Sequence, residues 1–189
     1  MRLYALCDEA LLQRYNITLE QYVAIAKANN AEIIQYRNKT ADIDFIKSRL
    51  IELRKLYDGF LIVNDKYELA PFCDGVHLGQ EDISGIDHDK KKAIKIIKEA
   101  IGSDKILGLS THNKQEVLEA NELPLNYIGL GAYRDTSTKK DIQGVLGDQL
   151  DEIASYSKHF VAAIGGVKKT DTFKHVTYHV IGSGLFDES

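Results

Sequence analysis

Short apolar runs and longer amphipathic segments alternate along this chain from one end to the other. The apolar runs are typical of buried strands, and the segments whose apolar residues recur every three or four positions are typical of helices. The pattern predicts strands over residues 3–7, 31–37, 60–63, 75–78, 105–109, 125–129, 160–164 and 177–181. It predicts helices over residues 18–28, 42–57, 89–101, 114–121 and 148–158, a short helix over 66–70 and a helical turn near Thr170.

About eight strand–helix units predict an α/β protein, a compact (β/α)8 TIM barrel. The chain has 189 residues, fewer than the roughly 200 at the lower end of that fold, so its helices and loops must be short. An open, doubly wound sheet is the competing fold. Polar clusters follow nearly every predicted strand, which favours the barrel, because a barrel collects its ligand groups from many strand ends.

The most informative polar cluster is Gln35-Tyr36-Arg37-Asn38-Lys39, at the end of the second predicted strand. Side chains alternate between the two faces of a strand, so Gln35 and Arg37 point the same way, and Lys39 joins them if the backbone stays extended. Half-buried cations need a partner, and a phosphate or diphosphate is a common one. A solvated strand end is an equally good interpretation of this cluster alone.

Two carboxylates follow the next two strands. Asn64 and Asp65 come directly after the third strand, and Asp82 follows the fourth. Separated carboxylates at neighbouring strand ends suit Mg²⁺, which often binds through one or two carboxylates plus substrate phosphates. Helix capping by Asp65 and turn formation by Asp82 are the alternative interpretations.

The later strands are followed by groups that suit phosphate oxygens. A loop rich in hydroxyl groups extends from residue 129 to Lys139, and glycines follow the last two strands at 165–166 and 182–184. In barrels this corner often binds phosphate through backbone N–H groups, although glycines also serve as plain turn residues. Ser110 ends the fifth strand, but no third residue that would complete a hydrolytic triad is evident.

Composition excludes several classes of function. Hydrophobic residues make up 44% and charged residues 28% of the chain, an ordinary globular mixture that predicts one domain over residues 1–189. A net charge of −4 argues against non-specific nucleic-acid binding. No segment is long enough to span a bilayer, and the two cysteines form no CxxC pair. These features predict a cytoplasmic protein and leave a homo-oligomer open. The polar clusters at the strand ends, rather than the composition, indicate small phosphorylated molecules as its partners.

Taken together and in order, these motifs resemble the thiamine phosphate synthase family along nearly the whole chain. The markers are residues 3–8, 35–39, 63–65, 74–82, 108–110, 136–139 and 164–167, with Ser183. The resemblance implies the barrel fold, Mg²⁺, and a reaction between hydroxymethylpyrimidine diphosphate and thiazole phosphate.

The resemblance also implies a role for each candidate residue. The pyrimidine diphosphate would be held by Gln35, Arg37, Lys39 and Asn64, and Mg²⁺ by Asp65 and Asp82. Ser110 and Lys139 would contact the departing diphosphate. The thiazole phosphate would be held by Thr136, Thr138, Gly166, Gly182 and Ser183.

The chain departs from the family pattern at three places, all in the thiazole-phosphate half. The family usually has Gly-Pro and an aromatic residue before the threonines, where this chain has the run 131–135. The segment from Gly166 to Val180 is short, and the last strand ends in Gly-Ser-Gly rather than Val-Ser-Ala. A thiazole tautomerase, which shares the barrel, and a regulatory protein that binds a phosphorylated metabolite without chemistry are the alternative functions.

Overall fold

A computed structural model of the chain describes residues 1–135 and 144–186. Within these residues, eight parallel strands pair in sequence order and close into a barrel, since β8 pairs with β1. The strands are β1 (Arg2–Asp8), β2 (Ala31–Arg37), β3 (Phe60–Asn64), β4 (Gly75–Leu78), β5 (Ile106–Thr111), β6 (Tyr127–Leu130), β7 (Phe160–Ala163) and β8 (Tyr178–Ile181). The predicted TIM barrel is confirmed.

The helices surround the barrel. They are α1 (Glu9–Tyr15), α2 (Leu19–Ala28), α3 (Ile43–Leu56), α4 (Gln80–Ile86), α5 (Lys90–Ile101), α6 (Lys114–Ala120) and α7 (Gln149–Ala154). Two short 3-10 helices, Tyr67–Phe72 and Ser183–Leu185, follow β3 and β8. No helix in the part of the chain that the structure describes is long and apolar enough to cross a membrane.

The hydrophobic pattern does not predict two of these helices, because their first turns are polar. Helix α1 begins at Glu9, where the Asp8 carboxylate accepts a hydrogen bond from the Ala10 N–H. Helix α4 begins at Gln80, where the Asp82 carboxylate accepts from the Gly79 N–H. In both cases a carboxylate at a strand end also starts the next helix, which is the usual role of an N-terminal acidic residue.

The barrel has two separate apolar layers. Its interior contains Tyr4, Leu6, Ile33, Ile62, Tyr127, Ala162, Tyr178 and Val180. The larger layer lies between the barrel and the helices and contains, among others, Leu3, Ala5, Ile34, Tyr36, Leu61 and Val63. Neighbouring residues of one strand fall in different layers, as the alternation of strand side chains requires.

A polar cluster centred on the buried carboxylate of Glu9 lies in the outer layer. Glu9 accepts hydrogen bonds from the Tyr36 hydroxyl at 2.6 Å and from Arg49 Nη2 at 2.7 Å. Arg49 comes from α3, so this cluster joins α1, β2 and α3 on the outside of the barrel. It confirms that Tyr36 faces away from Gln35 and Arg37.

Candidate functional site

The carboxyl ends of the parallel strands form one face of the barrel, and the candidate residues lie there. Gln35 and Arg37 are at the end of β2, Asn64 and Asp65 at the end of β3, and Ser110 near the end of β5. Asp82 is in the first turn of α4, directly after β4, while Gly166, Gly182 and Ser183 follow β7 and β8. Thr136, Thr138 and Lys139 lie outside the described residues.

A pair of side-chain amides sits at the centre of this face. Gln35 is buried, and its Nε2 donates to Asn64 Oδ1 at 2.8 Å. Its Oε1 accepts from the Tyr4 hydroxyl at 2.8 Å. Gln35 is therefore held at both ends of its amide, and it fixes the orientation of Asn64.

A chain of hydrogen bonds continues from Tyr4 across the interior of the barrel. The hydroxyls of Tyr4 and Tyr127 are 2.7 Å apart, and the Tyr127 hydroxyl is 2.9 Å from His77 Nδ1. His77 Nε2 is in turn 2.9 Å from Ser110 Oγ. Burial raises the pKa of both tyrosines, so they remain neutral. These hydrogen bonds link Asn64 on β3 to Ser110 on β5 through buried polar side chains.

Arg37 forms an ion pair at the adjacent strand end. Its Nη1 donates to Asp8 Oδ2, and Asp8 is buried with only 4% of its surface exposed. The same carboxylate caps α1 through its other oxygen. The guanidinium is thus held in a fixed position at the barrel mouth.

Lys39, Asp65 and Asp82 form a second charged group. Lys39 Nζ donates to Asp65 Oδ2. Since β2 ends at Arg37, Lys39 reaches the other candidate residues through this ion pair and not by an extension of the strand. Burial raises the pKa of Asp82, and the nearby Asp65 carboxylate raises it further, against the hydrogen bond from the Gly79 N–H. The negative charge of Asp82 is therefore disfavoured in this surrounding, and a bound cation would stabilise it.

The donor set fits Mg²⁺ better than a metal held entirely by protein. No group of three or more His, Cys, Asp or Glu side chains suited to a metal exists within residues 1–135 and 144–186. Mg²⁺ keeps several waters and takes substrate phosphates as ligands, so one or two protein carboxylates suffice for it. Asp65 and Asp82 are the two that converge here.

The corner after β7 is built from glycines in the left-handed backbone region. Gly165 has φ +88° and Gly166 has φ +65°, conformations that L side chains rarely adopt. A Cβ on Gly165 would lie 2.6 Å from Ala132 Cβ, and one on Gly166 would lie 2.8 Å from Arg134 Cβ. Only glycine fits against the 131–135 segment at these positions.

Two of the departures from the family pattern contact each other. Arg134 lies in the altered loop and makes a bidentate ion pair with Asp171, which lies in the short segment after β7. The two hydrogen bonds are 2.7 and 2.8 Å long, and Arg134 Nη1 also donates to the Gly166 carbonyl at 2.8 Å. The altered loop and the shortened segment are therefore one structural unit.

Sequence reasoning missed the residues that support the candidates. Asp8 looks like the residue that ends the first strand, although its spacing from Tyr4 and Leu6 places it on the interior face. Tyr4 and Tyr127 look like core residues because tyrosine counts as apolar in a strand pattern. His77 looks like a buried structural histidine because it lies inside a strand pattern, but one of its partners is the candidate Ser110.

Comparisons with known proteins show the family to which the chain belongs. A sequence model of the family described as thiamine monophosphate synthase matches residues 3–183. A thiamine-phosphate synthase of Persephonella marina is 34% identical over 184 residues, which cover 92% of this chain and 82% of that protein. One of Lawsonia intracellularis is 36% identical over 173 residues, covering 88% and 75%.

Solved structures show the same relationship. Thiamine phosphate pyrophosphorylase from Pyrococcus furiosus superposes with a TM-score of 0.74 at 28% identity, over 96% of this chain and 85% of that one. The N-acetylmannosamine-6-phosphate 2-epimerase of Clostridium perfringens, at 13% identity and a TM-score of 0.61 over 97% of this chain and 87% of that one, shares the fold alone. With the matched family model and relatives above 30% identity, the chain belongs to the thiamine monophosphate synthase family of enzymes.

Proposed function

We propose that this chain is a transferase that condenses hydroxymethylpyrimidine diphosphate with thiazole phosphate, giving thiamine monophosphate and diphosphate in a reaction that needs Mg²⁺. One observation carries the proposal: two side-chain amides, two cations and two adjacent carboxylates converge at the ends of β2, β3 and β4. This set matches the needs of a heterocycle that bears a diphosphate. Membership of the family supports the same assignment.

The amide pair suits the pyrimidine. The Gln35 side chain is held rigidly, because its amide is hydrogen-bonded to both Tyr4 and Asn64. The Asn64 amide nitrogen donates to none of the described residues. A preorganised amide N–H can therefore donate to a ring nitrogen without reorganising first. Gln35 acts on the substrate mainly by fixing Asn64.

The cations suit the diphosphate. Diphosphate leaves readily only when its developing negative charge is stabilised, and Arg37 and Lys39 stand where that charge would grow. Each already pairs with a carboxylate, Asp8 or Asp65, which holds it in place before the substrate binds. When bound at Asp65 and Asp82, Mg²⁺ supplies further charge neutralisation. Lys139, which lies outside the described residues, is proposed as an additional cation, and Ser110 as a hydroxyl contact on the same side.

The reaction needs no nucleophile from the protein. The electron-rich pyrimidine can stabilise positive charge on its methylene carbon as diphosphate departs, and the thiazole nitrogen then attacks that carbon. Cys7 and Cys73 are buried, and burial raises the pKa of both thiols. Neither cysteine is therefore available as a thiolate. The protein's task is to hold the two substrates in line and to exclude water.

The second substrate is proposed to bind at the glycine corners. Gly166, Gly182 and Ser183 follow β7 and β8, on the side of the mouth away from Asp65 and Asp82. Thr136 and Thr138 are proposed to complete this phosphate site from the loop after β6. The two substrates would then meet over the barrel axis.

A product assay tests the proposal. The purified protein is incubated with both precursors, with and without Mg²⁺, and thiamine monophosphate is measured by chromatography and fluorescence. We expect product only with both precursors and Mg²⁺. No product would reject the synthase assignment: interconversion of thiazole phosphate tautomers would then favour the isomerase, and tight binding of a precursor without chemistry would favour the regulatory protein.

A further inference from the structure

Arg134 reaches from the altered loop to the glycine corner, and its contacts involve two consecutive peptide groups. Its backbone N–H donates to the Gly165 carbonyl at 2.8 Å, and its Nη1 donates to the Gly166 carbonyl at 2.8 Å. In a trans peptide the carbonyl and the N–H that follows it point in opposite directions. The N–H groups of Gly166 and Val167 therefore point away from Arg134.

These two N–H groups find no acceptor in the part of the chain that the structure describes. Among residues 1–135 and 144–186, neither the Gly166 N–H nor the Val167 N–H donates a hydrogen bond. Successive backbone N–H groups in a turn with left-handed residues form a concave site for an anion. Gly165 and Gly166 provide such a turn, with φ values of +88° and +65°.

Asp171 holds the guanidinium that orients this turn. It accepts from both Nη atoms of Arg134 and also from the Lys168 N–H at 2.7 Å. Asp171 is mostly buried, with 11% of its side chain exposed, whereas 41% of the Arg134 side chain is exposed. The Arg134 hydrogen bonds lower the pKa of Asp171, which keeps the carboxylate charged. The aromatic ring of Tyr133 lies against the guanidinium, with the Arg134 Cζ 4.2 Å from its centroid.

We propose that Arg134 and Asp171 are a positioning pair: they orient the Gly165–Gly166 turn so that the N–H groups of Gly166 and Val167 receive the phosphate of the second substrate. The inference rests on the proposed function for the identity of that substrate. Arg134 acts through the backbone and does not touch the phosphate. The pair links the two segments in which this chain departs from the family pattern.

The substitution Asp171→Asn separates this role from direct binding by Arg134. If Arg134 bound the phosphate itself, loss of the neighbouring negative charge would strengthen phosphate binding. If the pair orients the turn, loss of the two-pronged ion pair weakens phosphate binding despite the favourable change in charge.

Arg54 and Asp74 provide a matched control. Arg54 also pairs with an aspartate and donates to two backbone carbonyls, those of Tyr57 and Gly59. This pair lies at the opposite end of the barrel, where Asp74 immediately precedes β4. Asp74→Asn therefore removes an equivalent ion pair without touching the glycine corner.

The experiment is a titration of the ¹⁵N-labelled full chain with inorganic phosphate, followed by two-dimensional NMR. We expect phosphate to shift the Gly166 and Val167 amide signals in the wild type and in Asp171→Asn. Phosphate binding should be at least fivefold weaker in Asp171→Asn and unchanged in Asp74→Asn. The proposal would be overturned if Asp171→Asn bound phosphate as tightly as the wild type or more tightly. It would also be overturned if the Gly166 and Val167 amide signals of the wild type did not shift with phosphate. If Asp171→Asn does not fold, Arg134→Lys is tested instead, because lysine keeps the positive charge but cannot make the bidentate contact.

Steady-state kinetics provide a second test, which separates failure of the positioning role from failure of the proposed function. In Asp171→Asn we expect the KM for thiazole phosphate to rise at least fivefold, with the KM for the pyrimidine diphosphate and kcat nearly unchanged. An equal rise in both KM values would point to general damage at the barrel mouth and count against the pair. A chain that makes no product but shows the phosphate shifts would refute the proposed function and leave the positioning role intact.

Discussion

Asp8 and Arg37 lie side by side at the ends of two paired strands, and the Asp8 carboxylate both pairs with Arg37 at the barrel mouth and caps a helix. Asp8 is the partner of Arg37 in the register of β1 and β2. One of its oxygens accepts from the guanidinium, and the other accepts from the first turn of α1. The position of a candidate catalytic cation is thereby tied to the start of the first helix.

Arg37→Ala is predicted to lower kcat by about 10²–10³, by analogy with the loss of one oxyanion-hole donor. The physical reason is that the guanidinium stabilises charge that grows as diphosphate leaves. The control is Arg49→Ala, which breaks an equivalent pair with Glu9 on the outside of the barrel. It should lower the thermal midpoint and leave the specific activity of the folded enzyme unchanged. Steady-state kinetics on both variants decide the matter, and equal losses of activity would contradict the role of Arg37.

Asp65→Asn and Asp82→Asn are each predicted to reduce Mg²⁺-dependent turnover strongly. The metal-free protein should keep its thermal midpoint in Asp82→Asn or gain slightly, because the raised pKa of Asp82 shows that its charge is disfavoured in the fold. Asparagine can still accept from the Gly79 N–H. Thermal unfolding with and without Mg²⁺ is the measurement: the wild type should be stabilised by the metal and the variants much less. A variant that unfolds but retains specific activity when folded would show that the carboxylate is only a cap.

Ser183→Ala is predicted to raise the KM for thiazole phosphate. Loss of one hydrogen bond to a charged group costs roughly 1.5–3 kcal/mol, which corresponds to about ten- to a hundredfold. Ser155→Ala is the control, since that hydroxyl donates within its own turn to the Glu152 carbonyl at 2.6 Å. Initial rates with each substrate varied in turn give the answer, and a similar rise in both KM values would contradict the assignment.

His179 is predicted to make the fold sensitive to acid. Burial lowers the pKa of His179, against a weaker opposing effect of its contact with the Lys168 carbonyl. The unfolded chain then takes up this proton more readily than the folded one. Stability is therefore complete above the usual histidine pKa of about 6.5 and falls as the pH drops through the lowered value.

The measurement is the loss of thermal midpoint between about pH 8 and pH 5. The loss should be smaller in His179→Gln than in the wild type. The control is the same substitution at the exposed His88, which should follow the wild type. An identical acid sensitivity in all three proteins would rule out His179 as its source.

Much of the barrel was predictable because strands and helices have different hydrophobic periods. The Gln35–Arg37 face followed from alternation along β2 alone, and the structure confirms it. Helices α1 and α4 were not predictable in the same way, since each begins with acidic residues that also suit loops. At both helix starts one carboxylate, that of Asp8 or Asp82, caps the helix and also lies at the barrel mouth. A single sequence does not separate these two uses.

Contacts between distant segments set the limit of prediction from sequence. Arg134 and Asp171 are 37 residues apart, and each looks like an ordinary charged loop residue. Likewise, nothing local in the sequence indicates that the Tyr4 hydroxyl meets the Tyr127 hydroxyl, because that contact crosses the barrel interior. The end of each strand could be assigned from the sequence, whereas the partners that meet there depend on closure of the barrel.

The left-handed backbone of Asp65, with φ +64°, restricts which residues can occupy that position. Asparagine, aspartate and glycine tolerate this region best, and of these only aspartate carries a charge. Glutamate would offer the same carboxylate at a higher backbone cost and one methylene further out. In a library of all substitutions at residue 65, selection for folding should accept asparagine and glycine, and selection for turnover should return aspartate alone.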